Sequence, residues 1–164
     1  MTQLRLLPLI IAFALSFATA GLGQAFTHLD AWYFALRLPA WKPPDVAFGV
    51  IWTTIFTLAA FSAWRAWLGA STMPGSRALK RRILLLFGAN ALLNIVWSLL
   101  YFTWHRPDWA LIECVGLWLS IVALIIGLWR LSRVASLLLV PYVIWVSAAF
   151  FLNLATVQLN GPFG

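Results

Sequence analysis

The 164-residue chain is 63% hydrophobic and only 9% charged, carries a formal net charge of +7 and has a mean hydropathy of +0.93. A soluble globular domain is about 45–50% apolar and about 25% charged, so a water-soluble fold is excluded: too little polar surface remains to cover so much apolar side chain. Cys114 stands alone, which excludes an intramolecular disulfide or a thiolate metal cluster, and the basic residues lie between apolar runs rather than in a nucleic-acid-binding module.

The first apolar run covers residues 6–26. Arg5 and the Ala18-Thr19-Ala20 triplet imitate a signal peptide, but the apolar character continues through Leu22 and Phe26, which favours a retained helix. Residues 27–45 form a long first loop, in which Asp30 is placed to cap a short helix through Leu36. Pro39, Pro43 and Pro44 then force an extended path. With Trp32, Tyr33, Phe34 and Trp41 as apolar weight, a structured lid is expected there.

Four more apolar runs follow, over residues 46–68, 83–104, 109–129 and 134–159, each near the roughly 20 residues that cross a bilayer. A spanning segment must satisfy its own backbone hydrogen bonds, so each is expected to be a helix. The fold class is therefore an all-α integral membrane protein, one domain over residues 1–164, built as a five-helix bundle. The third and fourth loops are short and require antiparallel neighbours. An odd helix count without inverted repeats weakens an alternating-access transporter.

Five crossings put the N-terminus and the second and fourth loops on one side, with Arg5, Arg65, Arg77, Lys80, Arg81, Arg82, Arg130 and Arg133. The other side has Arg37, Lys42 and Arg106, so the N-terminus is expected in the cytoplasm and the C-terminus opposite. The basic cluster also suits anionic lipid head groups.

Asn90, Asn94 and Trp97 share one helix face, as do Trp145, Ala149 and Asn153, and amides at bilayer depth point inward to find partners. Asn90 and Asn153 are as readily interhelical hydrogen-bonding groups as ligand contacts, whereas Asn94 has Trp97 beside it. Among the 11 tryptophans, Trp104, Trp109 and Trp129 lie at segment ends and Trp64 and Trp67 near one, where an interfacial belt belongs. Trp52, Trp97, Trp118 and Trp145 lie deeper, and Trp52 and Trp145 are the strongest candidates for ligand contact. Glu113 is the one acid within a span. His28 and His105 lie in loops, without a second histidine matched to either, so no metal or cofactor is expected as a structural requirement.

Three blocks carry a resemblance. Trp32-Tyr33-x-x-Leu36-x-x-Pro39-x-Trp41-x-Pro43-Pro44 followed by Trp52, Asn90-x-x-x-Asn94-x-x-Trp97, and Pro141-Tyr142-x-x-Trp145-x-x-x-Ala149-x-x-x-Asn153 fall in order along the whole chain. The sequence resembles the tryptophan-rich sensory protein family, which includes the mitochondrial translocator protein. The resemblance implies a compact, often dimeric bundle that binds porphyrins such as protoporphyrin IX and other flat hydrophobic ligands beneath the first loop. By motif position it implies a pocket of Tyr33, Trp52, Asn94, Trp97, Cys114, Trp145 and Ala149; read by itself, Cys114 is equally a small packing residue.

Two departures stand out. Where the family commonly has Lys before the first proline of the loop motif, this chain has Leu38, with Arg37 one earlier, so a basic group that could meet a ligand carboxylate is displaced. Where the animal proteins end the fifth helix with the Tyr and Arg of their cholesterol-associated stretch, this chain has Leu154 and Gln158, and no high-affinity cholesterol site is expected. The implied function is a membrane receptor or sensor linked to tetrapyrrole regulation or transport. The alternatives are light-dependent porphyrin degradation, whose reactivity would have to come from the ligand, and a small transporter or scaffold without a porphyrin site. The small-residue step Gly116–Ser120 is a candidate for helix association in a homodimer.

Overall fold

A computed structural model of the chain describes residues 3–163, with side chains from residue 6 onward. Helix α1 (Gln3–Ala25) leads through a first loop holding the short α2 (Ala31–Ala35) into α3 (Asp45–Ser71). Then come α4 (Ser76–Ser98) with a π-helical turn at its end (Leu99–Thr103), α5 (Pro107–Leu128), the short α6 (Arg133–Leu137) and α7 (Val140–Asn160). Among the described residues there is no strand. Five stretches are long and apolar enough to cross a membrane: Leu6–Ala25, Asp45–Ser71, Ser76–Thr103, Pro107–Leu128 and Arg133–Asn160.

Two boundaries differ from the apolar reading, each for a physical reason. The third span begins at Ser76 rather than at residue 83, because Gly75 takes a left-handed turn (φ 73°) and the charged stretch Arg77–Arg82 continues the helix out of the apolar zone. The last span, read as one run over residues 134–159, is broken between α6 and α7. Pro141 has no N–H for the carbonyl of Leu137, and its ring clashes with that carbonyl in a continuous helix, so the chain stops at Leu137 and restarts with Pro141 in the first turn of α7.

Helix α5 contributes heavily to the buried core. Its Ile121 and Leu124 are fully buried, and Leu117 and Leu128 nearly so, packed with Ile55, Ile83, Leu139, Tyr142 and Val146 from the surrounding helices. Large apolar side chains such as Val46, Leu85, Ile112 and Ile126 face outward. In water such exposure is a liability, but in lipid it costs nothing, and helix association rests on close packing and interhelical hydrogen bonds instead.

Two of those hydrogen bonds and one very close backbone approach lie at the end of the bundle that carries the arginines. Ser62 Oγ donates to the Ala135 carbonyl at 2.7 Å, and Ser136 Oγ to the Ile125 carbonyl at 2.7 Å. Gly69 lies so close to the backbone of Leu131 that a Cβ there would sit 2.3 Å from its carbonyl oxygen. There α3 packs on α6; farther along, α3 packs on α1 and α4, and α7 on α5. The close approach of α3 to the Leu131 backbone thus lies at one end of the bundle, and a cavity, the candidate site, lies at the other beneath the first loop.

Candidate functional site

The first loop is organised by its own residues. Asp30 accepts the Tyr33 backbone N–H at 3.0 Å and so caps α2. Asp30 also lies 3.2 Å from Nε2 of His105, which stacks on Trp32 at 4.1 Å between ring centroids. The Tyr33 backbone N–H, followed by His105, holds the Asp30 carboxyl below its ordinary value. At the far end of the loop, the Asn160 side chain grips the Arg37 backbone from both sides: Arg37 N–H donates to Oδ1 and Nδ2 donates to the Arg37 carbonyl, each at 2.8 Å.

Beneath this loop is a cavity of about 640 Å³, within the roughly 300–1,000 Å³ range of small-molecule sites. Its walls come from four of the long helices at the same end of the bundle, α1 among them with Phe17, Ala20 and Gly23. Helix α3 contributes Asp45, Phe48, Trp52 and Phe56 at steps of three and four, and α7 contributes Trp145, Ala149, Leu152 and Asn153. From the third span come Asn94, Trp97, Ser98, Tyr101 and Phe102. The π-helical turn adds one residue to the helical register after Leu99, and both Tyr101 and Phe102 face the cavity.

The rings form a connected wall. Trp97 stacks on Tyr101 with centroids 5.1 Å apart, and Tyr33 lies 5.8 Å from Phe102. Across the cavity Trp52 stacks on Phe56 at 5.5 Å, and Phe48 meets Trp145 edge-on at 5.5 Å. Polar groups are few. Asn94 Nδ2 donates to the Tyr142 hydroxyl at 3.0 Å, and Tyr33 OH donates to Asp45 Oδ1 at 3.1 Å. Burial, and then the Asp45 charge, pushes the Tyr33 phenol up to about 12, so it remains a proton donor across the neutral range. The buried indole N–H groups of Trp97 and Trp145 have no hydrogen-bond partner among the described residues.

The structure thus brings six of the seven sequence-derived candidates together on one cavity wall: Tyr33, Trp52, Asn94, Trp97, Trp145 and Ala149. Cys114 is not among the lining residues; it is 1% exposed in the core beside Leu117 and Ile121, where a small side chain suits the packing. Asn90 donates to Ser120 Oγ at 2.8 Å, tying α4 to α5. Asn153, with its amide turned to match its neighbours, donates to the Pro107 carbonyl at 3.0 Å and accepts from Leu111 N–H at 3.1 Å. Trp118 donates to Ser147 Oγ at 2.9 Å on the outer surface, away from the cavity. Glu113 also lies off the cavity wall, its carboxylate oxygens buried without a partner among the described residues.

Sequence reasoning passed over Lys42, Asp45, Phe48, Phe56, Tyr101 and Phe102. The periodicity Asp45–Phe48–Trp52–Phe56 was a legible signal for three of them. The π-helical register that orients Tyr101 and Phe102 has no such signature. No group of three or more His, Cys, Asp or Glu side chains placed to hold a metal occurs among the described residues.

Five long apolar helices, four of which wall an indole-lined cavity, define a multi-pass membrane protein. The chain belongs to the TspO/MBR family, whose model matches residues 9–159. It is 35% identical to the tryptophan-rich protein TspO of Chlorobaculum tepidum over 95% of this chain and 98% of that protein. It is 32% identical to the tryptophan-rich sensory protein of Cereibacter sphaeroides over 87% of this chain and 84% of the relative. The human translocator protein is 27% identical over 80% of this chain and 77% of its own length. Membership in this family and the five spans together make it an integral membrane protein.

Proposed function

We propose that this protein is a membrane receptor or sensor that takes a porphyrin, or a similarly flat hydrophobic molecule, into the cavity beneath the first loop. The observation that carries this reading is the cavity wall itself: three indoles and six further aromatic rings around a space of about 640 Å³. A flat conjugated ring offers faces to stack on such a wall. In this reading the first loop acts as a lid, held by Asp30, His105 and Asn160. The protein faces the cytoplasm with its N-terminus and arginine-rich loops, as its charge asymmetry favours, and works as a homodimer.

The test is a titration of the purified protein with protoporphyrin IX in the dark, followed by tryptophan fluorescence. Saturable quenching that weakens in Trp52→Phe and Trp145→Phe is expected; unsaturable quenching indifferent to both would contradict the reading. Illuminating the saturated sample then asks whether the porphyrin is consumed. Loss of its absorbance, suppressed by the same substitutions, would move the assignment from sensor to enzyme.

A further inference from the structure

Away from its rim the cavity wall is uncharged, and among the described residues the rim carries one cation. Among the described residues, Lys42 and Asp45 are the only charged ones lining the cavity, and they form an ion pair. They are not equally placed: the Lys42 side chain is 14% exposed, whereas that of Asp45 is 51% exposed. The cation is therefore turned into the protein and the anion toward the aqueous rim. Lys42 Nζ lies 5.5 Å from the Phe48 ring centroid and 6.0 Å from that of Tyr33, over two rings that themselves line the cavity. An ammonium has three N–H donors, and Asp45 is its one ion-pair partner among the described residues. Asp45 has a second partner of its own in the Tyr33 hydroxyl. The alternative basic residue of the loop, Arg37, does not line the cavity; its backbone is held by Asn160 and its side chain is exposed.

From this arrangement we infer that Lys42 is the anchor for a carboxylate on the ligand, so that the protein selects amphiphiles with a flat apolar body and an acidic edge. The body lies against Trp52, Trp97 and Trp145, and the carboxylate sits at the rim, sharing the Lys42 ammonium with Asp45. Placing the charge at the membrane–water boundary and the rings at bilayer depth matches each part of such a molecule to its solvent. A charge-assisted bond in a largely water-excluded setting discriminates acid from neutral ester more strongly than the same contact in water. The inference rests on the cavity being the ligand site, as proposed above.

The experiment compares protoporphyrin IX with its dimethyl ester, which keeps the ring and removes the anions, on the wild-type protein and on Lys42→Met, Lys42→Arg and Asp45→Asn. Wild-type protein is expected to bind the acid more tightly than the ester, by about tenfold, equivalent to about 1.4 kcal/mol. Lys42→Met should abolish that preference, acting mainly on the acid, while Lys42→Arg keeps part of it. Asp45→Asn removes the competing carboxylate and should leave the preference intact or larger. Equal affinity for acid and ester in the wild type would overturn the inference while leaving the cavity reading standing. So would a loss of preference in Asp45→Asn as large as in Lys42→Met, since the ion pair would then be a strut of the loop. Saturable binding of neither porphyrin would instead defeat the cavity reading itself.

Discussion

Asn94 is at once a strut and a wall: its amide donates to the buried Tyr142 hydroxyl at 3.0 Å, and its side chain lines the cavity beside Trp97. Interhelical hydrogen bonds in bilayers are worth about 0.6 kcal/mol on average, and stranding a buried partner raises the cost of losing one to about 1–3 kcal/mol. Asn94→Leu is therefore expected to destabilise the protein by about 1 kcal/mol. Tyr142→Phe should cost less when added to it than alone, because the two substitutions remove one shared bond. Thermal unfolding of the four proteins in the cycle measures this; strict additivity would mean that the bond contributes nothing. Asn94 and Trp97 could be singled out from sequence because a helical step of three puts an amide and an indole on one face. Lys42 could not, because nothing in a Trp-x-Pro loop tells whether the intervening side chain turns toward the bundle or toward water.

At the scale of elements, the first loop and the crowded end of the bundle make opposite demands. The cap of α2 depends on an ionised Asp30, whose carboxyl is held below its ordinary value of 3.8 by the Tyr33 N–H first and by His105 after it. Its contribution is fully present above that ordinary value and is lost as pH falls through the depressed one. Asp30→Ala should speed hydrogen exchange at the Tyr33 amide at neutral pH, and Asp30→Asn, which keeps the capping oxygen, should do so less. Equal exchange in all three proteins would show that the cap does not order the segment. At the other end, Gly69→Ala puts a Cβ 2.3 Å from the Leu131 carbonyl oxygen, a backbone atom that cannot step aside. A loss of about 1–3 kcal/mol is expected. Gly88→Ala, where nothing lies within 4 Å, should be neutral or mildly stabilising in the same unfolding assay. The five spans and the capped α2 were readable because lipid demands apolar length and because Asp is a helix-capping side chain. The start of α4 at Ser76 was obscured by its arginines, since hydropathy reports the solvent and not the helix.

For the molecule as a whole, a close backbone approach at Gly69 marks one end of the bundle and the cavity marks the other. The Gly116–Ser120 step, a candidate for association between chains, faces inward in the structure: Gly116 packs toward Leu93, and Ser120 accepts from Asn90. A dimer would therefore use another face. The charge distribution is equally polarised. Of 11 basic and 4 acidic residues, eight basic and no acidic residues belong to the side with the N-terminus; the other side has three of each, and Glu113 lies within a span. Single cysteines introduced by Thr72→Cys and Ala40→Cys should accordingly be labelled by an impermeant thiol reagent from the cytoplasmic and the opposite side respectively, with the buried Cys114 as a silent background. The reverse pattern would invert the topology. The central claim is that the ligand sits inside the bundle rather than against its surface rings, and one binding measurement addresses it directly. Ala149 lines the cavity one turn from Trp145, so Ala149→Trp fills the space while leaving every exposed ring in place. Absorbance titration with protoporphyrin IX should then show saturable binding to the wild type and its loss in this variant, with the thermal unfolding midpoint close to that of the wild type. Undiminished saturable binding to a folded Ala149→Trp protein would place the ligand elsewhere and contradict the account.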